Sequence, residues 1–284
     1  MKLAVLADIH ANFVALQTVT AHLEAWQPDL VIVAGDVVNR GPRPRECWQL
    51  VENKQRCAGW LLVRGNHEDY VLSHTRPNAP RHGPEFEIQR HAYWTYQQLD
   101  GNLLRLAEMP EQQILLGPDG GEIWVTHGSR RGSRDGIYPE TTAAELRRKI
   151  EPSAALFCVG HTHRPLVRRI DHTLVVNVGS AGLPFDGDPR PSYAQLQWHN
   201  GRWQANIIRL VYDQDQAERD FFETGCLEQS GPLAHLILDE LRTAQSRLFQ
   251  WTELYQLLVL AGEMSLAEAT RQFLFTIGRK ASPK

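Results

Sequence analysis

The sequence predicts an α/β protein in which two sheets pack face to face with helices outside. Three observations lead there: short apolar runs alternate with helical patterns from the start, the second half turns β-rich with hairpin signals, and helical periodicity alone runs from about residue 213 onward. Continuous apolar strands separated by helices read as βαβ units with strands buried on both faces.

The first units are "KLAVLAD" (2–8), the helix "NFVALQTVTAHLEAW" (12–26), "DLVIVAGD" (29–36), the helix "PRECWQLVENKQ" (44–55) and "WLLVRGNH" (60–67). Residues 68–112 break the rhythm. The Pro-, His- and Arg-rich "SHTRPNAPRHGPEF" precedes a stretch where Ile88, His91, Ala92, Trp94, Tyr96, Leu99 and Leu103 recur with helical tendency. An insertion there, over the carboxyl edge of the sheet, is either a substrate lid or a plain helical excursion. Runs at 113–116 and 122–127 follow, then a helix opened by the capping box Thr142-Ala-Ala-Glu145, and the strand "ALFCVGH" (155–161). Next come the strand pairs "PLVRRIDHTLVVNVGS" and "SYAQLQWHNGRWQANIIRLVYD", the latter turning at Asn200-Gly201, a strong hairpin signal. Past residue 213, Leu233, Leu236, Ile237, Leu241, Leu248, Phe249 and the run through Leu260 form an apolar stripe, and Ser265-Leu-Ala-Glu268 caps a last helix expected to stop near Gly278. The division is therefore a domain at 1–212, with a helical insertion at about 69–112, and a helical extension at 213–284. That extension holds no obvious chemistry; packing on the core is the first reading of its stripe, self-association into a homo-oligomer the second.

Composition narrows the function classes. Thirty Lys and Arg stand against 33 Asp and Glu, a net charge of -3 without a long block of either sign, which argues against nucleic acid or an acidic membrane as partner. No apolar run reaches the roughly 18 residues a bilayer span needs, and "MKLAVLADIH" lacks the features of a signal peptide. Cys47, Cys57, Cys158 and Cys226 show no paired spacing and read as reduced thiols. A cytoplasmic location is the expectation.

Five predicted strand ends carry side chains that bind metals: Asp8 and His10, Asp36, Asn66 and His67, His127, and His161 with His163. Singly each has a plain explanation, such as a helix cap, a turn residue or a core histidine. Together, at strand ends that should share one crevice, those explanations fail. The seven remaining histidines, His91 among them, show no such placement. With His67 set aside, two Asp, one Asn and four His exceed what one ion needs, but suit two metals about 3.5–4 Å apart with a bridging carboxylate. Oxygen with imidazole favours manganese first, or iron, zinc or cobalt, over magnesium or calcium.

The ordered motifs D-x-H, G-D-x-x-x-R-G, G-N-H-E, H-G and G-H-T-H resemble the calcineurin-like metallophosphoesterase superfamily over residues 1–212. "GDVVNRG" and "RGNHE" are similar to the branch of serine/threonine phosphatases and diadenosine tetraphosphatases; "GHTH" with "NVGSAGLPFDGDPRPSYA" is similar to small bacterial and archaeal phosphoesterases and phosphodiesterases. The resemblance implies a four-layer α-β-β-α sandwich of two mixed sheets. It implies that Asp8, His10 and His163 hold one divalent or trivalent metal, that Asn66, His127 and His161 hold the other, and that Asp36 bridges them. It implies a bridging hydroxide attacking phosphorus in line on a small phosphorylated substrate, a monoester or a diester, with His67 as general acid. Arg40 is expected to grip phosphate oxygens with its guanidinium fork, a surface salt bridge being its alternative. Asn39 departs from the protein phosphatases, where an aspartate partners the catalytic histidine. Arg64 and Glu68 are expected only to support the loop. A catalytically silent scaffold of the same fold and a nuclease using Arg76, Arg81, Arg90, Arg130, Arg131 and Arg134 are the competing readings.

Overall fold

Apolar alternation becomes sheet in the places the sequence marks. The computed structural model describes residues 1–101, 103–152 and 154–281. β1 (Lys2–Leu6), β2 (Leu30–Ala34) and β3 (Leu61–Val63) run parallel, linked by α1 (Phe13–Trp26) and α2 (Pro44–Ala58). Asn12 caps α1 by accepting from the Ala15 amide at 3.1 Å, and α2 opens on Pro44 and closes on Gly59 at φ 68°. The insertion holds α3 (Asn66–Ser73), α4 (Pro84–Ile88), α5 (Arg90–Gln98) and α6 (Leu103–Ala107). The second sheet is built from β4 (Gln112–Leu116), β5 (Glu122–Thr126), β6 (Leu156–Val159), β7 (Leu166–Ile170) and β8 (Thr173–Asn177), with α7 (Ala143–Ile150) before β6. β9 (Ser192–His199) and β10 (Arg202–Arg209) return to the first sheet across a turn with Asn200 at φ 49° and Gly201 at φ 74°, the two left-handed residues of a type I′ hairpin.

The strand orders are β10-β9-β1-β2-β3 and β4-β5-β6-β8-β7. Both sheets are mixed: β5, β6 and β8 are parallel, while β4, β7, β9 and β10 run antiparallel to their neighbours. Period-two alternation sends Leu3, Val5 and Ala7 between the sheets against Val125, Leu156, Cys158 and Val176. It sends Leu6 and Val33 outward to Leu16, Val19, Trp48 and Val51 of α1 and α2, while Leu146 and Ile150 of α7 cover Phe157 and Val175. The result is an α-β-β-α sandwich of four layers.

α8 (Gln214–Glu223), α9 (Cys226–Gln229), α10 (Ala234–Thr243), α11 (Arg247–Leu260) and α12 (Leu266–Ala281) form a further core, in which Leu236, Ile237, Leu241 and Trp251 pack with Trp94 and Leu183. Two expectations need correcting. α12 does not stop at Gly278 but continues to Ala281, because an isolated glycine costs a helix only about 1 kcal/mol and nothing there demands a left-handed turn. Phe249 leaves the buried stripe and is 61% exposed, one position past buried Leu248. Among the described residues, no helix is long and apolar enough to cross a membrane.

Candidate metal centre and its cavity

The carboxyl ends of β1, β2 and β3 in one sheet and of β5 and β6 in the other meet at one edge of the sandwich. Loops leaving them turn sharply inward. Asp8, His10, Ala11, Asp36, Asn39, Arg40, His161 and His163 all have positive φ, between 47° and 71°. Non-glycine residues enter this region at a cost of about 1–3 kcal/mol and do so mainly where surrounding structure fixes them. Gly65 and Gly160 answer a different need, space. A Cβ on Gly65 would run into the Asp36 carboxylate, and one on Gly160 would meet Ala7 and Asp8.

All seven predicted donors converge. His163 donates Nδ1–H to the Leu183 carbonyl, which turns Nε2 toward His10 Nε2 at 3.0 Å and Asp8 Oδ1 at 3.4 Å. Asp8 Oδ2 is taken by the His161 amide at 2.8 Å, while buried Oδ1 has no hydrogen-bond partner among the described residues. Across the site, His127 donates Nδ1–H to the Ala34 carbonyl at 2.8 Å. Its Nε2 then faces Asn66 Oδ1 at 2.9 Å and Asp36 Oδ2 at 3.3 Å, and His161 Nδ1 reaches the same Asn66 oxygen at 2.9 Å. Asp36 Oδ1 accepts from the His67 amide at 2.9 Å, which leaves Oδ2 between the two sets, 3.7 Å from His10 Nε2 on the other side.

With the ring neutral, His127 Nε2 faces Asn66 Oδ1 and Asp36 Oδ2, so these contacts set acceptor against acceptor. Protons relieve some of them: burial opposes charge on His127, yet Asp36 and Asp8 raise its pKa to about 10. His10 is driven the other way, well below its usual value, by burial and by the neighbouring His67 and His163. Burial and His127 likewise lower His161 to about 4. Cations on the two sides would satisfy the confronted lone pairs together, including the orphaned Asp8 oxygen, so the residues present fit a metal centre. Three overlapping donor groups are close enough to hold an ion: Asp8, His10 and His163; His10, Asp36 and His67; and Asp8, Asp36 and His127.

Asn39 separates His67 from the other donors. The Arg40 amide donates to Asn39 Oδ1 at 2.8 Å, so the carboxamide nitrogen must face His67 Nδ1, 2.8 Å away. A donor on Nδ1 leaves the ring proton on Nε2, and His67 is a hydrogen-bond donor in this arrangement rather than a ligand.

Glu68, expected only to support the loop, is the site's central tie. Its carboxylate accepts from the amides of Asp36, Val37 and Gly65, each at 2.8 Å, and of Val38 at 3.3 Å, locking the Asp36 loop to the turn that carries Asn66. Burial and Asp36 push its pKa up to about 7, against those four amides, which favour the carboxylate. Arg64 stays outside, paired with Asp69 and Glu111.

Arg40 faces the same cavity but is not a surface residue. Its guanidinium meets buried Glu240 of α10 at 3.2 Å, lies 5.7 Å from the Phe185 ring centroid, and keeps a buried Nε–H without a partner among the described residues. The cavity above the donors has a volume of about 1060 Å³, at the upper end for small-molecule sites. Ile88 and His91 of the insertion line one wall, and Leu248, Phe249, Gln250 and Trp251 of α11 another. Two sequence expectations are corrected by this. The extension taken to hold no chemistry walls the site, and His91, counted among the histidines without placement, lines it with a pKa lowered to about 3 by burial and by Arg40.

Comparison with known proteins agrees with this architecture. A model of the calcineurin-like phosphoesterase superfamily domain matches residues 1–201. An uncharacterised protein of Methanocaldococcus jannaschii is 24% identical over 228 residues, covering 74% of this chain and 88% of its own. The crystal structure of a metallophosphoesterase from Sphaerobacter thermophilus superposes with a TM-score of 0.67 at 28% identity, over 86% of this chain and 100% of that one. A hypothetical protein of Pyrococcus horikoshii OT3 shares the fold with a TM-score of 0.73 at 19% identity, over 86% and 99% of the two chains. Both spans exceed residues 1–212, so they include part of the helical extension.

Proposed function

Because this chain belongs to the calcineurin-like phosphoesterase superfamily, we propose that it hydrolyses phosphate esters, monoesters or diesters, with two metal ions held at the meeting strand ends. Asp8, His10 and His163 would hold one ion, Asn66, His127 and His161 the other, and Asp36 both. The observation that carries this reading is Asp36 Oδ2, which stands between the two proposed sets, 3.7 Å from His10 Nε2 on one side and 3.3 Å from His127 Nε2 on the other. When bound, such ions supply Lewis acidity, lowering the pKa of a shared water and neutralising phosphoryl oxygens.

The remaining residues bind and orient. Arg40, anchored to Glu240 through one guanidinium nitrogen, faces the cavity and offers its other terminal nitrogen to a phosphoryl oxygen. The Asn39 amide supports a narrower role for His67 than general acid. Delivery of a proton needs an imidazolium, which burial and the donor on Nδ1 both oppose, so His67 acts here by donating a hydrogen bond from Nε2 to the leaving oxygen. Substrates with good leaving groups suit that arrangement. The nuclease reading loses support, since Arg131 pairs with Glu145, Arg90 with Glu87, and Arg130 stacks 3.7 Å from the Trp124 ring. The complete donor set speaks against a silent scaffold.

Metal analysis and turnover of an aryl phosphate and a diaryl phosphate, with manganese, iron, zinc and cobalt in turn, test the reading. Wild-type protein should hold two ions per chain and turn over at least one ester. Asp36→Asn should hold fewer and lose turnover by about a hundred-fold or more; an Asp36→Asn protein with full metal content and full rate would sink the bridging assignment.

A further inference from the structure

Beyond the donors, the cavity wall has a chemical character of its own. Its formal charges are all paired: Arg40 with Glu240, Arg164 with Glu140 at 2.8 Å, and Asp186 with Arg209. What remains includes aromatic rings and carboxamides, beside aliphatic and hydroxyl side chains such as Leu233, Leu248, Ser246 and Thr252. Phe185 stacks on His163 with ring centroids 4.1 Å apart, and Phe249 stands largely exposed at the cavity wall although it is a large apolar ring. Gln245, Gln250 and Gln256 line the same side, with carboxamides that no protein group engages among the described residues. Trp251 is fully buried on that wall, and its indole N–H has no acceptor among the described residues.

We propose that α11, with the α10–α11 turn, forms the leaving-group subsite of the active site and selects phosphate esters whose leaving group is an uncharged planar aromatic system with hydrogen-bonding edges, the chemistry of a nucleoside. Aromatic faces take a base by stacking, and carboxamides match the paired donor and acceptor of a base edge. Away from Arg40 the charges on this wall stand in pairs, Arg164 with Glu140 and Asp186 with Arg209, which favours an uncharged leaving group over a polyphosphate chain or a charged peptide. Phe185 lies under both His163 and Arg40, so the subsite is continuous with the place where phosphate would sit.

The inference rests on the phosphoesterase reading, and the test separates the two. Adenosine, which has no phosphate and needs no metal, is titrated by calorimetry into metal-stripped protein, with glycerol as the aliphatic control. Separately, metal-loaded protein is assayed on an aryl phosphate and on matched esters of adenosine and glycerol. Adenosine should bind where glycerol does not. Phe249→Ala, at an exposed position that the fold tolerates, should weaken adenosine binding about five-fold or more and cut the preference for the adenosine ester over the glycerol ester by a similar factor. Turnover of the aryl phosphate with no adenosine binding, or adenosine binding unchanged in Phe249→Ala, overturns the subsite and leaves the phosphoesterase standing. Adenosine binding that depends on Phe249, with no ester hydrolysed under any metal, overturns the proposed function and leaves a nucleoside site.

Discussion

At the scale of the residue, the site is defined by side chains whose identities the sequence displays and whose backbone it conceals. Asp8, His10, Asp36, Asn66, His127, His161 and His163 stand out because carboxylate, carboxamide and imidazole end five strands in order. Their left-handed φ values do not, since Asp and His enter that region far less often than glycine and so mark it only weakly. The orientation of Asn39 was equally hidden: only the bond from the Arg40 amide decides which end of the carboxamide meets His67. A prediction belongs here. Asn39→Asp would replace that donor with an acceptor while keeping an oxygen for the Arg40 amide, raising the His67 pKa and restoring an imidazolium able to give up a proton. Turnover of alkyl phosphates should rise relative to aryl phosphates by about ten-fold. A ratio unchanged across pH would remove Asn39 from the control of His67.

Elements explain what sequence periodicity could not. Capping at Thr142 and the hairpin at Asn200-Gly201 form as the residues foretell, because both signals are local. The part played by α10 and α11 is not local. An apolar residue facing a cavity and one facing a core obey the same helical spacing, so Phe249 read like Leu248. Glu240 shows the coupling most directly: one oxygen accepts from the Leu248 amide at 2.9 Å, in the first turn of α11, and the other meets Arg40. We predict that Glu240→Gln, which keeps the shape but weakens the grip on the guanidinium, raises KM for phosphate esters about ten-fold with a much smaller change in kcat. Glu240→Asp should recover part of the loss. A fall in kcat alone, with KM untouched, would place Glu240 outside substrate positioning.

Over the whole molecule, each proposed ion draws its ligands from both sheets: His163 from the second with Asp8 and His10 from the first, and His127 and His161 from the second with Asn66 from the first. Binding that bridges the sheets must add to the free energy of folding. Adding the preferred metal to chelated protein should therefore raise Tm by several degrees, and Asp36→Asn should lose most of that increment; equal shifts in the two proteins, read by scanning calorimetry, would contradict a shared site. The sandwich was legible in the sequence because alternation with period two and period 3.6 is written along single segments. The cavity was not, because its wall joins residues about 200 positions apart, Arg40 and Leu248 among them.

The proposed division of ligands would make the inter-sheet core a caliper. The gap between its jaws follows from how Leu3, Val5 and Ala7 seat against Leu156, Cys158 and Val176, side chains wholly buried between the sheets. A methylene gained or lost there would open or close the distance between imidazoles at the far edge by a fraction of an ångström, and ions that differ in radius by no more than that would be sorted by the volume of a hydrophobic core.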